Sequence, residues 1–532
     1  MMFFNLAFKT SNRNNPSPKK QQQDLLLLLL TVILFYLAFP SGGVGNLAWL
    51  VMVPILIALN NIQNSRYAFM LGLLAATLGW MFSIWWVVGG LAKVTFSHNN
   101  IILPFVFLFC LISAVPYAFA GYLQAKFNWG TSILGTLKSA AIFTLLINFI
   151  PHILPGNLAH SLYQSPVQIQ LLSLGGVPLL FFTLHWVNAL IACAIYQWRA
   201  EKKIALYSLS LAILIILANL IYGKLTLAEN TTLSSKQSSI TVAMVQPNFD
   251  ISLRTREDWL TQAPLLMKLM SQVSNKNEVD LIVLPELPTP ISYHDFSEDR
   301  SLFNEVLNNK SVLISDISYD SNTTNNVNTN LSYFNAIELI QKQQRIAQYQ
   351  KRILVPFGEY LPFEENLPFL RAIFPDAPNY QAGTKATLLP LSINGNTINL
   401  VPLICYEAVF TKLVREGVDL GGDIFINSVN DAWFGDTAGR DVHLALALYR
   451  TIEFQKPLVR VTNNGISSIF NAQGERILGS SIAPFSAGTS ITKVFIPQVK
   501  SFYQSYPNFF MILFLILSGY ALISGRTLSY EK

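Results

Sequence analysis

Hydrophobic positions fall into two textures along the chain. At about 24–40, 45–60, 67–92, 100–124, 139–154, 168–197, 204–222 and 507–524, apolar residues run on with little interruption. Most of these stretches reach the roughly 17 to 25 residues that a helix needs to cross about 30 Å of hydrocarbon, so they predict about eight transmembrane helices. The stretches near 24 and 139 are short for a span. Those near 67 and 168 are long enough that a straight helix must tilt or overhang. Lys19 and Lys20 precede the first stretch, but no small-x-small pattern follows Phe39-Pro40-Ser41, which favours an uncleaved helix over a signal peptide.

Between 223 and 506 the apolar runs shorten, turn formers appear, and β-branched clusters alternate with helical stretches. Strands are predicted at Ser239–Val245, Leu281–Leu284, Val312–Ser318, Tyr333–Ile340, Ile398–Leu403, Ile424–Ser428, Leu458–Thr462 and Ile466–Asn471. Helices are predicted at about 257–274, 407–416 and 442–454. Such alternation argues α/β layering around a largely buried sheet. The polar run SNTTNNVNTN at 321–330 reads as a flexible loop between two strands. The expected organisation is a tail at 1–23, a membrane domain at 24–222, a soluble α/β domain at 223–506, a last span at 507–524 and a tail at 525–532.

Composition agrees with the pattern: mean hydropathy is +0.39 and only 12% of residues are charged. Charge then orients the spans. Lys9, Arg13, Lys19, Lys20, Arg66, Lys126, Lys138, Arg199, Lys202, Lys203 and Arg526 fall on one side if the spans alternate, whereas the opposite short loops offer little beyond Lys93. The basic side is cytoplasmic by the positive-inside rule, which places both termini inside and 223–506 outside, the periplasm in a bacterium. The net charge of +6 is not gathered into a basic run, which argues against a nucleic-acid partner. Cys110, Cys193 and Cys405 are too few and too scattered for a disulfide framework or a metal knuckle, and no metal or cofactor is expected.

Three short segments of the α/β domain place reactive side chains at predicted strand ends: Leu284-Pro285-Glu286, Tyr349-Gln350-Lys351 and Ile404-Cys405-Tyr406-Glu407. Each alone has an ordinary explanation, as a solvated acid, a surface lysine or a core thiol. With their neighbours, YQKRILVPFGEYLPF around Lys351, VPLICYEAVF around Cys405, and FINSVNDAWFGD and PLVRVTNNGISSIF downstream, the chain from about 239 to 495 resembles the nitrilase superfamily. The run Lys351 to Tyr360 and the Asn430-Asp431-Ala432-Trp433-Phe434-Gly435 segment look like its apolipoprotein N-acyltransferase branch in particular.

That resemblance implies an αββα sandwich inserted before the last of eight spans, the same order that hydropathy and charge predict. It implies that Glu286 is a base, that Lys351 stabilises an oxyanion and that Cys405 is the nucleophile, with Glu359, Tyr406 and Glu407 as supporting residues. The implied acyl donor is a phospholipid of the bilayer, and the acceptor is the α-amino group of a diacylated lipoprotein. Phe357, Tyr360, Trp433 and Phe434, with Phe363, are candidates for contacts to these lipidic substrates. A free thiol ionises near pH 8.5, so an acyl-transfer cysteine needs a base or a nearby cation, which Glu286 and Lys351 would supply. The domain's histidines are His294 and His443, neither in a cysteine-protease motif, and His443 reads as structural.

The chain also departs from the family pattern. Leu284 stands where Trp usually precedes Pro-Glu, Leu287-Pro288 follows, Thr255 replaces a frequent aromatic, and the fifth apolar stretch reads LLINFIPHILPG instead of carrying a Glu-Trp-Leu-Arg run. The alternative function is a membrane-tethered nitrilase-like amidase acting on a small carbon-nitrogen substrate. A transporter is disfavoured because the spans hold few charges.

Overall fold

Helices form where hydropathy predicts them. The computed structural model describes residues 17–94, 99–149, 156–233, 238–250, 256–287, 297–319, 333–375 and 377–527. The 321–330 loop, Thr255 and His294 lie outside these residues. Packing divides the chain into two units, one of Met1–Trp85, Leu103–Thr226 and Ser505–Lys532, the other of Trp86–Ile102 and Leu227–Gln504.

Among the described residues, Pro18–Ala38, Asn100–Phe127, Leu172–Gln197 and Lys202–Ala228 are long and apolar enough to cross a membrane, and a broken pair, Ser65–Ser83 with Trp86–Lys93, would make a fifth. Gly45–Asn60, Ile133–Phe149 and Phe509–Ile523 are apolar but shorter. The prediction of about eight spans is therefore supported only in its coarser form, because a 17-residue helix is about 26 Å long and falls short of the hydrocarbon thickness. The two long stretches neither tilt nor overhang as straight rods. The one near 67 breaks after Ser83, and the one near 168 bends at Gly175 and Gly176, where Gly176 takes a φ of 62°.

Contacts inside the membrane unit are close because small residues allow them. A Cβ added at Gly72 would lie 2.9 Å from the Tyr117 carbonyl oxygen, and one at Gly121 would lie 2.9 Å from that of Ala68. The helices Ser65–Ser83 and Asn100–Phe127 thus touch backbone to backbone. Side-chain amides supply further links: Asn188 donates to Ala48 O at 3.0 Å and accepts from Met52 N at 2.8 Å.

Among the described residues, the second unit holds eleven strands in two sheets. The first contains β1 (Ser238–Gln246), β2 (Leu281–Val283), β3 (Ser311–Tyr319), β4 (Tyr333–Gln341) and β5 (Gln344–Gln350). The second contains β6 (Leu389–Ile393), β7 (Asn396–Ile404), β8 (Ile424–Val429), β9 (Leu458–Thr462) and β10 (Ser468–Phe470), and β11 (Gly488–Ile496) returns to the first. The orders are β11-β1-β2-β3-β4-β5 and β10-β9-β8-β7-β6. Strands β1 to β3 run parallel, as do β7 to β9, while the strands outside them pair antiparallel.

Strand alternation separates two cores. Ile240, Val242 and Met244 of β1 pack with Leu400, Ile404, Ile426 and Val461 between the sheets. Ala243 and Val245 turn the other way, onto Leu266, Met270 and Val273 of the helix Arg256–Ser274 and Phe303 of the helix Ser297–Leu307. On the outer side of the second sheet, Phe425 meets Phe454 of the helix Gly439–Phe454 edge to face, with centroids 6.3 Å apart. The result is an α/β domain of αββα layering. Strand ends therefore converge from two facing sheets, and the predicted reactive residues sit on those ends.

Candidate active site

Glu286 follows β2, Lys351 follows β5 and Cys405 follows β7. The two sheets are tied together beside them. Ser428 of β8 donates to Leu284 O at 3.0 Å, and Asn430 N donates to Glu286 Oε2 at 3.1 Å. Lys351 N donates to Asn335 O at 2.7 Å, which carries its side chain inward from the sheet edge.

There the Lys351 ammonium is fully buried between two carboxylates, 3.1 Å from Glu286 Oε1 and 2.7 Å from Glu359 Oε1. Asn335 Nδ2 bridges the same two oxygens, at 2.9 and 3.1 Å. Val355 N donates to Glu359 Oε2 at 2.8 Å, which folds the loop after Lys351 back over it. Burial opposes a charge on Lys351, but Glu286 and Glu359 outweigh it and hold the ammonium well above the usual lysine range.

Glu407 joins the cysteine segment to the lysine segment. Its Oε2 accepts from Ile404 N at 2.9 Å, while its Oε1 accepts from Tyr349 OH at 2.7 Å, Arg352 N at 2.6 Å and Ile353 N at 3.2 Å. Burial pushes its carboxyl pKa up against the pull of these donors.

Cys405 is half-buried and has a φ of 50°, a left-handed conformation rare outside glycine. Burial and then the negative charge of Glu286 push its thiol well above the ordinary range, with Lys351 pulling the other way.

The remaining sequence candidates divide. Tyr360 and Phe363 line a cleft of about 660 Å³ with Arg352, Leu354, Asn366 and Tyr380. Phe363 is 71% exposed, whereas Phe357 packs onto Phe374 with ring centroids 5.3 Å apart. Tyr406 packs edge to face on Phe410 at 4.7 Å. Trp433 and Phe434 occupy a separate 3-10 turn, Asp431–Phe434, where Phe434 meets Trp86 at 4.9 Å.

That last contact was not foreseen, since hydropathy assigns Trp86 to a membrane span. The missing side chain of Gly90 lets the helix Trp86–Val94 approach, and a Cβ there would lie 3.5 Å from Trp433 O. Asn335 was also missed. Its signal was available, because it shares the inter-sheet face of β4 with Ile337 and Leu339, where a polar side chain is out of place. Among the described residues, no group of three His, Cys, Asp or Glu side chains is placed to hold a metal ion.

An αββα domain whose strand ends bring a glutamate, a lysine and a cysteine together is of the carbon-nitrogen hydrolase class, and residues 241–504 match that family. Residues 32–190 match the apolipoprotein N-acyltransferase N-terminal domain. Along most of its length the chain is 24% identical, over 493 residues, to the apolipoprotein N-acyltransferase of Geobacter metallireducens, covering 90% of each protein. It is 30% identical, over 433 residues, to that of Brucella melitensis biotype 1, covering 77% of each. The chain belongs to the apolipoprotein N-acyltransferase family.

Proposed function

We propose that this protein N-acylates lipoproteins, moving an acyl chain from a membrane phospholipid through Cys405 to the α-amino group of a diacylglyceryl-cysteine. The observation that carries the mechanism is the buried Lys351, held between Glu286 and Glu359, whose charges act on the Cys405 thiol. In the first half-reaction Glu286 takes the thiol proton as sulfur attacks the ester carbonyl. Lys351 stabilises the oxyanion, a role whose loss typically slows such reactions about 100- to 1,000-fold. Collapse forms the thioester and expels the lysophospholipid alkoxide, which recovers the proton from Glu286. In the second half-reaction the lipoprotein amine attacks the thioester, its proton passes to Glu286, and the departing thiolate is reprotonated as the amide forms.

Glu359 and Glu407 keep the lysine and cysteine segments in register. Tyr406 backs the nucleophile. Phe357, Tyr360, Trp433 and Phe434 contribute apolar surface for the lipid substrates. An acyl donor that resides in the bilayer accounts for a catalytic domain joined to membrane helices. By the charge pattern of its loops, the protein is a multi-pass protein of a bacterial inner membrane, with the catalytic domain in the periplasm.

Incubation of the purified protein with phospholipid alone tests the pathway. One acyl chain should load onto Cys405 with equimolar release of lysophospholipid, persist until a diacylated lipopeptide is added, and be cleaved by neutral hydroxylamine. Prompt appearance of free fatty acid would favour the amidase-like hydrolase alternative. Lipopeptide acylation without any adduct would rule out transfer through the thiol.

A further inference from the structure

Behind Cys405 lies a second cluster that the acyl-transfer steps do not use. Two side chains grip the Cys405 carbonyl oxygen: His443 through Nε2 at 3.2 Å and Asn427 through Nδ2 at 3.1 Å. His443 belongs to the helix Gly439–Phe454 and Asn427 to β8. Both donors are themselves oriented by Arg460 of β9 or by its partner. Arg460 Nη1 donates to Asn427 Oδ1 at 2.6 Å, and Nη2 donates to Asp431 Oδ2 at 3.0 Å. Asp431 Oδ1 stands 2.9 Å from His443 Nδ1. All four side chains are buried.

The proton positions follow from the partners. A carbonyl oxygen only accepts, so His443 Nε2 must carry hydrogen. Its Nδ1 faces the Asp431 carboxylate and, at 3.2 Å, Arg460 Nη2. With Nδ1 accepting from Arg460 Nη2, the ring is neutral and its hydrogen sits on Nε2; with Nδ1 donating to Asp431, a donating Nε2 requires the imidazolium form. Burial pushes the Asp431 carboxyl up, but Arg460 and His443 more than reverse this and hold it below the ordinary range, so it stays ionised.

The grip has a geometric consequence. The peptide after Cys405 is planar and trans, so fixing its carbonyl also fixes the Tyr406 N–H, which points the opposite way in the same plane. It also fixes the backbone of a residue in a left-handed conformation that a non-glycine residue holds only when its surroundings impose it.

We propose that His443, oriented by Asp431, is a positioning residue that clamps the Cys405 carbonyl and thereby aims both the thiol and the Tyr406 N–H for acyl transfer. This inference rests on Cys405 being the nucleophile.

Two substitutions separate the two ends of the ring. The amide nitrogen of His443→Asn overlays Nδ1, keeping the Asp431 bond and losing the carbonyl. That of His443→Gln overlays Nε2 and keeps the carbonyl. In the full-length protein, with phospholipid as donor, His443→Asn should lower kcat for loading Cys405 by about 10- to 100-fold with donor KM unchanged, the scale expected when a reacting group is misplaced. His443→Gln should restore kcat to within about threefold of wild type. A wild-type rate in His443→Asn, or equal loss in both variants, overturns the clamp. Should His443→Asn melt early, Asp431→Asn gives the same comparison: a similar loss of kcat supports the clamp, and a rate within about twofold of wild type overturns it. Absence of an adduct in the wild-type protein would instead defeat the nucleophile reading, whatever the His443 variants do.

Discussion

The two units bury polar groups in different ways. In the membrane unit, neutral amides tie helices together: Asn60 donates to Gly130 O at 3.1 Å, Gln124 donates to Asn60 Oδ1 at 2.9 Å, and Asn188 ties its own helix to the segment around Ala48 and Met52. Large apolar side chains such as Leu29, Ile33, Leu214 and Ile221 face outward. In the catalytic unit the apolar residues turn inward, and ionised groups are buried beside them as compensated sets, Lys351 with Glu286 and Glu359, and Arg460 with Asp431. The difference follows from the solvent. Lipid gives no hydrophobic drive to helix packing, so close backbones and neutral hydrogen bonds must do it. Water around an αββα domain drives apolar residues inside, and the interior can then hold a charge only beside its opposite.

That contrast can be broken most directly by asking which side of the membrane each texture occupies. In a Cys405→Ala background, a cysteine placed at Glu201 should react with impermeant thiol reagents only from the cytoplasm, and one at the 99% exposed Leu478 only from outside. Labelling of both from one side would defeat the orientation.

A smaller but still large effect is expected at the buried charges. Glu286→Gln and Lys351→Met should each reduce acyl loading at neutral pH by at least about 100-fold. Their effects on alkylation of Cys405 should then differ in sign. The thiol is raised by burial and by Glu286 and lowered by Lys351, so Glu286→Gln should shift the alkylation midpoint to lower pH and Lys351→Met to higher pH. Shifts in the same direction would contradict the electrostatic account.

The smallest effect belongs to the membrane unit. Asn188→Leu should destabilise the protein in detergent by about 0.6 to 2 kcal/mol, the range measured for interhelical hydrogen bonds. Loading of Cys405 should be unchanged. A loss as large as that of Lys351→Met would mean that neutral amides and buried charges are not energetically distinct here.

Legibility in the sequence follows the same divide. The central strands β1, β2, β3, β7, β8 and β9 were readable because apolar neighbours on both sides give them dense apolar, often β-branched, clusters. Strands β5, β6 and β11 were not, and each is an edge: QRIAQYQ in β5 is half exposed and carries too little apolar pattern to register. Glu286, Lys351 and Cys405 were legible through the runs around them. Asn427 and Arg460 were not, because sheet register alone brings them beside each other and the Cys405 carbonyl, and Asn335 showed only as a polar residue on the inward face of β4. Hydropathy did not show that the stretch near 67 breaks after Ser83 or that Trp86 packs on Phe434, since an apolar helix that packs on a protein turn carries the same composition as one that meets lipid.

The sequence by itself determined that long apolar helices flank an α/β region, and which ionisable residues end its strands, because both are written in local pattern and spacing. Only the tertiary structure decided that Asn335 spans two carboxylates, that Glu407 joins the cysteine to the lysine segment, and that a histidine on a distant helix holds the Cys405 carbonyl. Such contacts join residues 24 to 58 positions apart, and their geometry is set by sheet register and layer packing, which no local run of residues encodes.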